Sequence, residues 1–549
     1  MLGPTGCGKS TLLDILADRK DKQTYEGQVF VNERPRPPSS IYRRMAGYVI
    51  QDDIYSGTLT VRENIFFSAN LRLPQSVSYY ERLERVEQII KQLRLNECAD
   101  TRMGTEFQRG VSGGEKKRTC IAMEMVLSPT ILFLDEPTTG LDSSTACIVM
   151  QCLRELSQQG CTIIFSIHQP RSSIFELFDT VLLLLHGHTV YFGPSTQLVP
   201  YFIDQGIQYK EHDNPADFAL DILNKANDDS AVQDLYTKYR VSAMHVGNET
   251  MGIDDSSDDG IYTVQKVDRS FLSDFIYVSQ RTLRNAIRNY ALLTWQIAVA
   301  IILGVLTGLL YYQLPRTSDS GVQNRLGGIF FIVVNQIFST ATALEPFIKE
   351  RTLFIHENVS GYYSITTLFL AKLICDLLPM RVIPSIVFSL ISYFMVGLQK
   401  TATKFLIFLV TIFMANIFGS AMCFLIAASI PVFAVALIVL VLVLVIMMVF
   451  SGFLVELKSV FIFLRWIQWV SAFRYAYNVL IVNEFRDIDF CLSNQTNVCP
   501  LSGASVLEKR SIDHNSSWDM WKYFLALTTI AIVSFVISYM KLLLIKKKK

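Results

Sequence analysis

Apolar positions follow two regimes along the chain, and the change comes near residue 290. In residues 1–223 they form short runs, such as Ile131-Leu132-Phe133-Leu134, Thr162-Ile163-Ile164-Phe165 and Val181-Leu182-Leu183-Leu184-Leu185. Helix-forming polar stretches separate these runs. Short apolar strands alternating with helices predict an α/β unit with a largely parallel sheet. From residue 291 onward the uncharged runs become long. A membrane span needs about 20 apolar residues. Segments 289–315, 326–344 and 523–540 satisfy this, and 405–455 holds two spans hinged near Ser429-Ile430-Pro431. Segment 361–399 is apolar but interrupted by Lys372, Asp376 and Arg381. Six spanning helices are expected over 291–549.

Two stretches join the regimes. Residues 224–266 include the acidic run Asp254-Asp255-Ser256-Ser257-Asp258-Asp259-Gly260 and read as a solvated linker. Over 267–290, Phe271, Phe275, Ser279, Leu283 and Ile287 recur at helical spacing, with Arg281, Arg284 and Arg288 on another face. That pattern predicts a helix lying on the cytoplasmic membrane surface, the alternative being an ordinary amphipathic soluble helix. Within the fifth segment above, Lys372 and Asp376 are spaced to pair, and Pro379 and Pro384 should kink the helix. Arg381 is either a coupling or pathway residue or an ion-pair partner in the bundle.

Composition adds exclusions and a topology. Half of the 549 residues are hydrophobic, and mean hydropathy is +0.31. A formal net charge of +1 gives no footing for a nucleic-acid partner. No secretory signal is expected, since Met1-Leu2 runs straight into Gly3. An even span count puts both ends on one side, and Lys546 to Lys549 mark that side as cytoplasmic. An outer loop of about 484–520 follows. It carries the sequon at Asn494 between Cys491 and Cys499, and another at Asn515. Sequons at Asn248 and Asn358 fall on the cytoplasmic side as chance matches.

The candidate chemistry lies in the first regime. Gly3-Pro4-Thr5-Gly6-Cys7-Gly8-Lys9-Ser10, followed by Thr11, fits the phosphate loop G-x-x-x-x-G-K-[ST]. There glycines turn backbone N–H groups around phosphates, Lys9 reaches the β and γ phosphates, and Ser10 ligates Mg²⁺. Asp135 and Glu136 end an apolar strand, as a Mg²⁺ ligand and a residue that orients or deprotonates the attacking water should. Ser112-Gly113-Gly114-Glu115 opens a helix as an anion site. Gln51 and His168 each follow a strand.

In order and spacing these residues resemble the nucleotide-binding domain of ABC transporters. The resemblance implies that Gln51 senses Mg²⁺ and couples to the membrane domain. It makes Gly140-Leu141-Asp142 the D-loop and His168 the contact to the γ-phosphate. The Ser112 motif would complete the ATP site of a second cassette. One cassette before one membrane domain is the order of the G subfamily. Asn214-Pro215-Ala216-Asp217-Phe218, Leu353-Phe354-Ile355-His356-Glu357, Asp376-Leu377-Leu378-Pro379-Met380-Arg381 and Asn483-Glu484-Phe485 extend the likeness over essentially the whole chain. It implies a dimeric half-transporter, most simply a homodimer. That dimer would use ATP and Mg²⁺ to expel hydrophobic or amphipathic compounds through the plasma membrane. Sterol or lipid export, or a non-transporting regulatory subunit, are the alternatives. By the same resemblance Asn335, Phe338, Val445 and Met448 line a substrate cavity and Leu454 plugs it. Cys491 and Cys499 are then an intrachain disulfide, with a Cys499–Cys499 interchain bridge as the other option. The family also has an antiparallel subdomain, an adenine-stacking aromatic residue and a strand ahead of the phosphate loop. Here the cassette is expected to lack them and its sheet to lose a member, with an incomplete gene model as the simpler explanation.

Overall fold

The computed structural model describes residues 1–105, 108–210, 213–225, 229–246, 270–317, 320–456, 460–491, 501–514 and 516–545. These fall into two units, one of Met1–Tyr277 with Ile355–Tyr363, the other of Val278–Phe354 with Ser364–Ile545.

In the first unit three parallel strands stand in the order β1 (Ala46–Val49), β2 (Ile131–Leu134) and β3 (Thr162–Phe165). The all-apolar β2 takes the centre, with Leu132, Phe133 and Leu134 buried, as a strand covered on both faces must. Val49 pairs with Leu134 and Leu134 with Phe165, so the strands end level. The polar residues that follow each strand therefore emerge along one edge, where ligands bind in open α/β sheets. An antiparallel hairpin of β4 (Thr180–Leu185) and β5 (His188–Pro194) lies beyond. Met1 and Leu2 stitch it to the rest. Ile167 N donates to Met1 O at 3.1 Å, and Leu184 N to Leu2 O at 2.9 Å. Between β3 and β4 is a cavity of about 860 Å³ lined by Leu16, Leu153, Ile163, Phe165 and Val181, among others.

Helices α1 (Lys9–Leu16), α2 (Val61–Arg72), α3 (Gly113–Met125) and α4 (Ser143–Gln158) surround this sheet. Ser112 with Glu115 caps α3 and Asp142 caps α4, each satisfying N–H groups that a helix start leaves open. After α5 (Pro215–Lys225), the stretch expected as linker holds α6 (Asp229–Val246), on which Val232 and Leu235 are buried. Tyr236 packs its ring 4.8 Å from that of His188 on β5. The solvated-linker expectation therefore fails over these residues, because one turn of apolar side chains anchors a mostly polar helix. The acidic run at Asp254 lies outside the described residues.

The second unit is helical. The helix α7 (Phe271–Arg288) starts within the first unit, exposes Phe271, Leu283 and Ile287 and buries Arg281. After α8 (Tyr290–Leu310), α9 (Ser320–Ser339) continues through a tight 3₁₀ turn into α10 (Leu344–Val359). This helical run of 40 residues is longer than the 326–344 expected. Next come α11 (Ile365–Lys372), a π turn at Leu373–Leu377 and α12 (Leu378–Val396). The break expected from the prolines thus lies one turn ahead of Pro379, and Pro384 sits inside α12. Then α13 (Ala402–Ser429), α14 (Phe433–Val449), α15 (Ala472–Phe485) and α16 (Ser517–Leu544) follow. Among the described residues five helices are long and apolar enough to cross a membrane, and α14 is a shorter apolar helix.

Several charged groups buried inside this unit are paired. Arg325 meets Glu484 at 2.5 Å, with side chains 2% and 3% exposed. Its other terminal nitrogen donates to Leu314 O at 2.8 Å, and Gln399 N donates to Glu484 at 3.1 Å. Lys372 pairs with Glu350 of α10, and Arg381 donates to Thr340 O at 3.4 Å. All five tryptophans of the chain belong to this unit and are exposed: Trp295 on α8, Trp466 and Trp469 before α15, Trp518 and Trp521 at the start of α16.

Candidate functional site

The phosphate loop runs from Leu2 to α1. Two of its glycines are required by backbone shape. Gly6 and Gly8 have φ of 82° and 102°, and a Cβ on either would meet nothing within 4 Å. Gly3 is required by space, because a Cβ there would lie 2.3 Å from Leu184 O. Lys9 opens α1 and is buried, donating to Gly3 O at 2.7 Å and Pro4 O at 3.0 Å. Its ammonium is thus held over the loop by two carbonyls, with the Cys7 sulfur 3.9 Å away.

The level strand ends bring together groups far apart in sequence. Ser10 donates to Asp135 Oδ1 at 2.9 Å, and Ser166 donates to the same oxygen at 2.6 Å. Gln51 donates to Glu136 Oε2 at 3.0 Å, and Thr139 to the same oxygen at 2.8 Å. Thr5 and His168 are 3.3 Å apart through the hydroxyl and Nε2. Lys117 steadies the Gln51 loop, donating to Gln51 O at 2.8 Å and pairing with Asp53 at 2.7 Å. Glu136 has φ of 45° and Gln169 of 41°, left-handed values that cost non-glycine residues about 1–3 kcal/mol each. The Ser166 hydroxyl helps hold the first by accepting from Glu136 N at 2.9 Å. Ser166 and Thr139 were not among the residues singled out from sequence. Ser166, fully buried, sits two residues before His168 in the same strand end.

Comparison with known proteins fits this geometry. A family described as "ABC transporter" matches residues 1–139, and "ABC-2 type transporter" matches 273–485, with a second family of that description over 168–248. "Broad substrate specificity ATP-binding cassette transporter ABCG2" of Sus scrofa is 42% identical, over 100% of this chain and 88% of that protein. The protein of the same description in Rattus norvegicus is 40% identical over the same shares. "ATP-binding cassette sub-family G member 3" of Mus musculus is 32% identical, over 100% and 87%. The chain belongs to the G subfamily of ABC transporters. It is a membrane protein that binds ATP and couples its hydrolysis to transport.

In this G-subfamily transporter the bonds of Ser112 stay within its own motif. Ser112 donates its hydroxyl and its N–H to Glu115 Oε2, both at 2.7 Å. Burial raises the Glu115 carboxyl, but these bonds outweigh it and leave its pKa below the usual value. Gly113 makes room for Leu141 and Gly114 for α4, since a Cβ would lie 3.2 Å from Leu141 Cδ2 on the first and 1.9 Å from Thr145 Cγ2 on the second. Asp142 accepts from Thr145 N at 3.1 Å, and hydrogen bonds to Thr145 lower its pKa.

The residues expected to line a cavity are spread over three elements. Asn335 on α9 donates to Thr307 at 3.4 Å, and Phe338 packs its ring 6.0 Å from Phe473. On α14 Val445 is exposed and Met448 half-buried, and Leu454 beyond it is exposed. Cys491 is disulfide-bonded. Cys499, expected as its partner, and Asn494 lie outside the described residues.

Proposed function

We propose that the protein is a half-transporter that dimerises, most simply with a second copy, to expel hydrophobic and amphipathic organic compounds across the plasma membrane. The observation that carries this is full-length identity of 40–42% to relatives described as having broad substrate specificity. Dimerisation is supported by the site itself. The chain carries one phosphate loop and one signature motif, and the bonds of Ser112 run to Glu115 rather than to the strand-end cluster.

In this reading Glu136, steadied by Gln51 and Thr139, takes the proton of the attacking water. Its oxygen already accepts two hydrogen bonds, which fix its direction. His168 contacts the γ-phosphate, and Lys9 exchanges the Gly3 and Pro4 carbonyls for phosphate oxygens. The hydroxyl of Ser10, the carboxylate of Asp135 and the amide oxygen of Gln51 are hard oxygen donors and fit Mg²⁺, an ion that takes few protein ligands beside phosphate. These three would hold it, and it would neutralise charge developing on the β and γ oxygens. Asn335, Phe338, Val445 and Met448 would face the substrate, with Leu454 above them.

Inside-out membrane vesicles test the reading. ATP-dependent uptake of an amphipathic dye or a conjugated steroid is expected, absent in Glu136→Gln. Transfer of sterol alone would replace the substrate class, and ATP hydrolysis without any uptake would point to a regulatory subunit.

A further inference from the structure

The motif Asn214-Pro215-Ala216-Asp217-Phe218 takes no part in the chemistry above, yet its first residue reaches the loop that carries His168. The Asn214 amide does two jobs. Its Oδ1 accepts from Ala216 N at 3.2 Å, closing the first turn of α5. Its Nδ2 donates to Pro170 O at 2.7 Å and to Asp217 Oδ2 at 2.9 Å. The orientation is set by its neighbours, because a flipped amide would press its oxygen against two acceptors.

Pro170 lies two residues beyond His168. Between them Gln169 has φ of 41°, and a residue before proline is already restricted toward extended backbone. The loop therefore holds a conformation it does not prefer. On one side it is anchored where Ser166 N donates to Leu134 O at 3.0 Å and Ile167 N to Met1 O at 3.1 Å. On the other side the anchor is the bond from Asn214. His168 is exposed between these points, within 3.3 Å of Thr5.

We propose that Asn214 is a positioning residue for ATP hydrolysis: its amide N–H holds the Pro170 carbonyl, and with it the turn at Gln169 that aims His168. This rests on the reading of His168 as the γ-phosphate contact.

Asn214→Asp separates the two jobs. The carboxylate still accepts from Ala216 N, and a negative charge suits the start of a helix. It has no N–H for Pro170 O or Asp217 Oδ2 and sets an oxygen against both. In the full-length protein in lipid nanodiscs, kcat for ATP is expected to fall about tenfold, the loss of roughly one hydrogen bond from the transition state. KM should stay at the wild-type value, and the melting temperature should fall less than in Asn214→Ala, the new carboxylate keeping the bond from Ala216 N while facing Asp217. In a His168→Ala background, Asn214→Asp should cost nothing more, because residues acting as a unit are not additive. Wild-type kcat in Asn214→Asp would overturn the proposal. So would kcat and melting temperature falling together as far as in Asn214→Ala, which would make Asn214 a helix cap only. A further loss in the His168→Ala background would also overturn it. If His168→Ala itself hydrolyses ATP normally, the reading of His168 is what fails.

Discussion

At the strand ends of the nucleotide-binding unit ionised groups stand open, whereas in the membrane unit Arg325 and Glu484 are sealed together with side chains 2% and 3% exposed, as Arg72 and Glu124 are away from the strand ends of the first unit. Lys9 rests on two carbonyls and Ser10 on Asp135, partners that a phosphate and a metal ion can replace. Arg325 has a committed counter-charge and a committed carbonyl. Removing a group from the first set leaves its neighbours in reach of water or nucleotide. Removing one from the second strands a charge. The same residue types thus stand open at the strand ends and serve architecture where they are sealed in pairs, and the difference lies in access to water.

The largest test of that contrast is Glu136→Gln. Hydrolysis measured by phosphate release should drop by about 10²–10⁴, the usual scale for losing a general base, with ATP binding and thermal stability unchanged. Arg325→Met should do the reverse. It leaves Glu484 buried and unpaired, at a cost of about 3–5 kcal/mol in stability, visible as poor recovery and an early melt in detergent. Adding Glu484→Gln should restore much of this, and a double variant no better than Arg325→Met would break the comparison. Ser166→Ala falls between the classes, since its hydroxyl bonds both Asp135 and Glu136 N from a buried position. About tenfold slower hydrolysis with a modest melting shift is expected. The smallest effect is at Asp142, where Asp142→Ala removes the α4 cap. The folded-state carboxyl titrates below its ordinary value, so its contribution is complete above about pH 4 and is lost as pH falls through the lowered value. Melting curves of the two proteins should differ slightly at pH 7 and converge in acid.

The three central strands were legible because a strand buried on both faces must be apolar throughout, and Ile131 to Leu134 is. Their level register was not, and that register is what brings Gln51 to Glu136 across 85 residues. Ser166 has no signal of its own in the sequence because a lone serine at a strand end is commonplace, and only the fold shows it bonded to the Asp135 carboxylate and to Glu136 N. Helix α6 was hidden by its polarity, with Val232 and Leu235 too few to make a stripe. In the membrane unit, length and hydropathy located the helices but not the partners. Lys372 reads as an i,i+4 partner of Asp376, yet it reaches Glu350 on a different helix. Hydropathy sees a charge inside a span and is blind to what faces it.

The placement of the tryptophans has an optical consequence. All five lie on the membrane unit and none in residues 1–277, so the ATP site is silent in tryptophan fluorescence. Any change in intrinsic emission when nucleotide is added must arise among Trp295, Trp466, Trp469, Trp518 and Trp521. The unlabelled protein is thus its own spectroscopic reporter of whether an event at Lys9 and Glu136 is felt among the membrane helices, and Glu136→Gln would hold it in the nucleotide-bound state long enough to read.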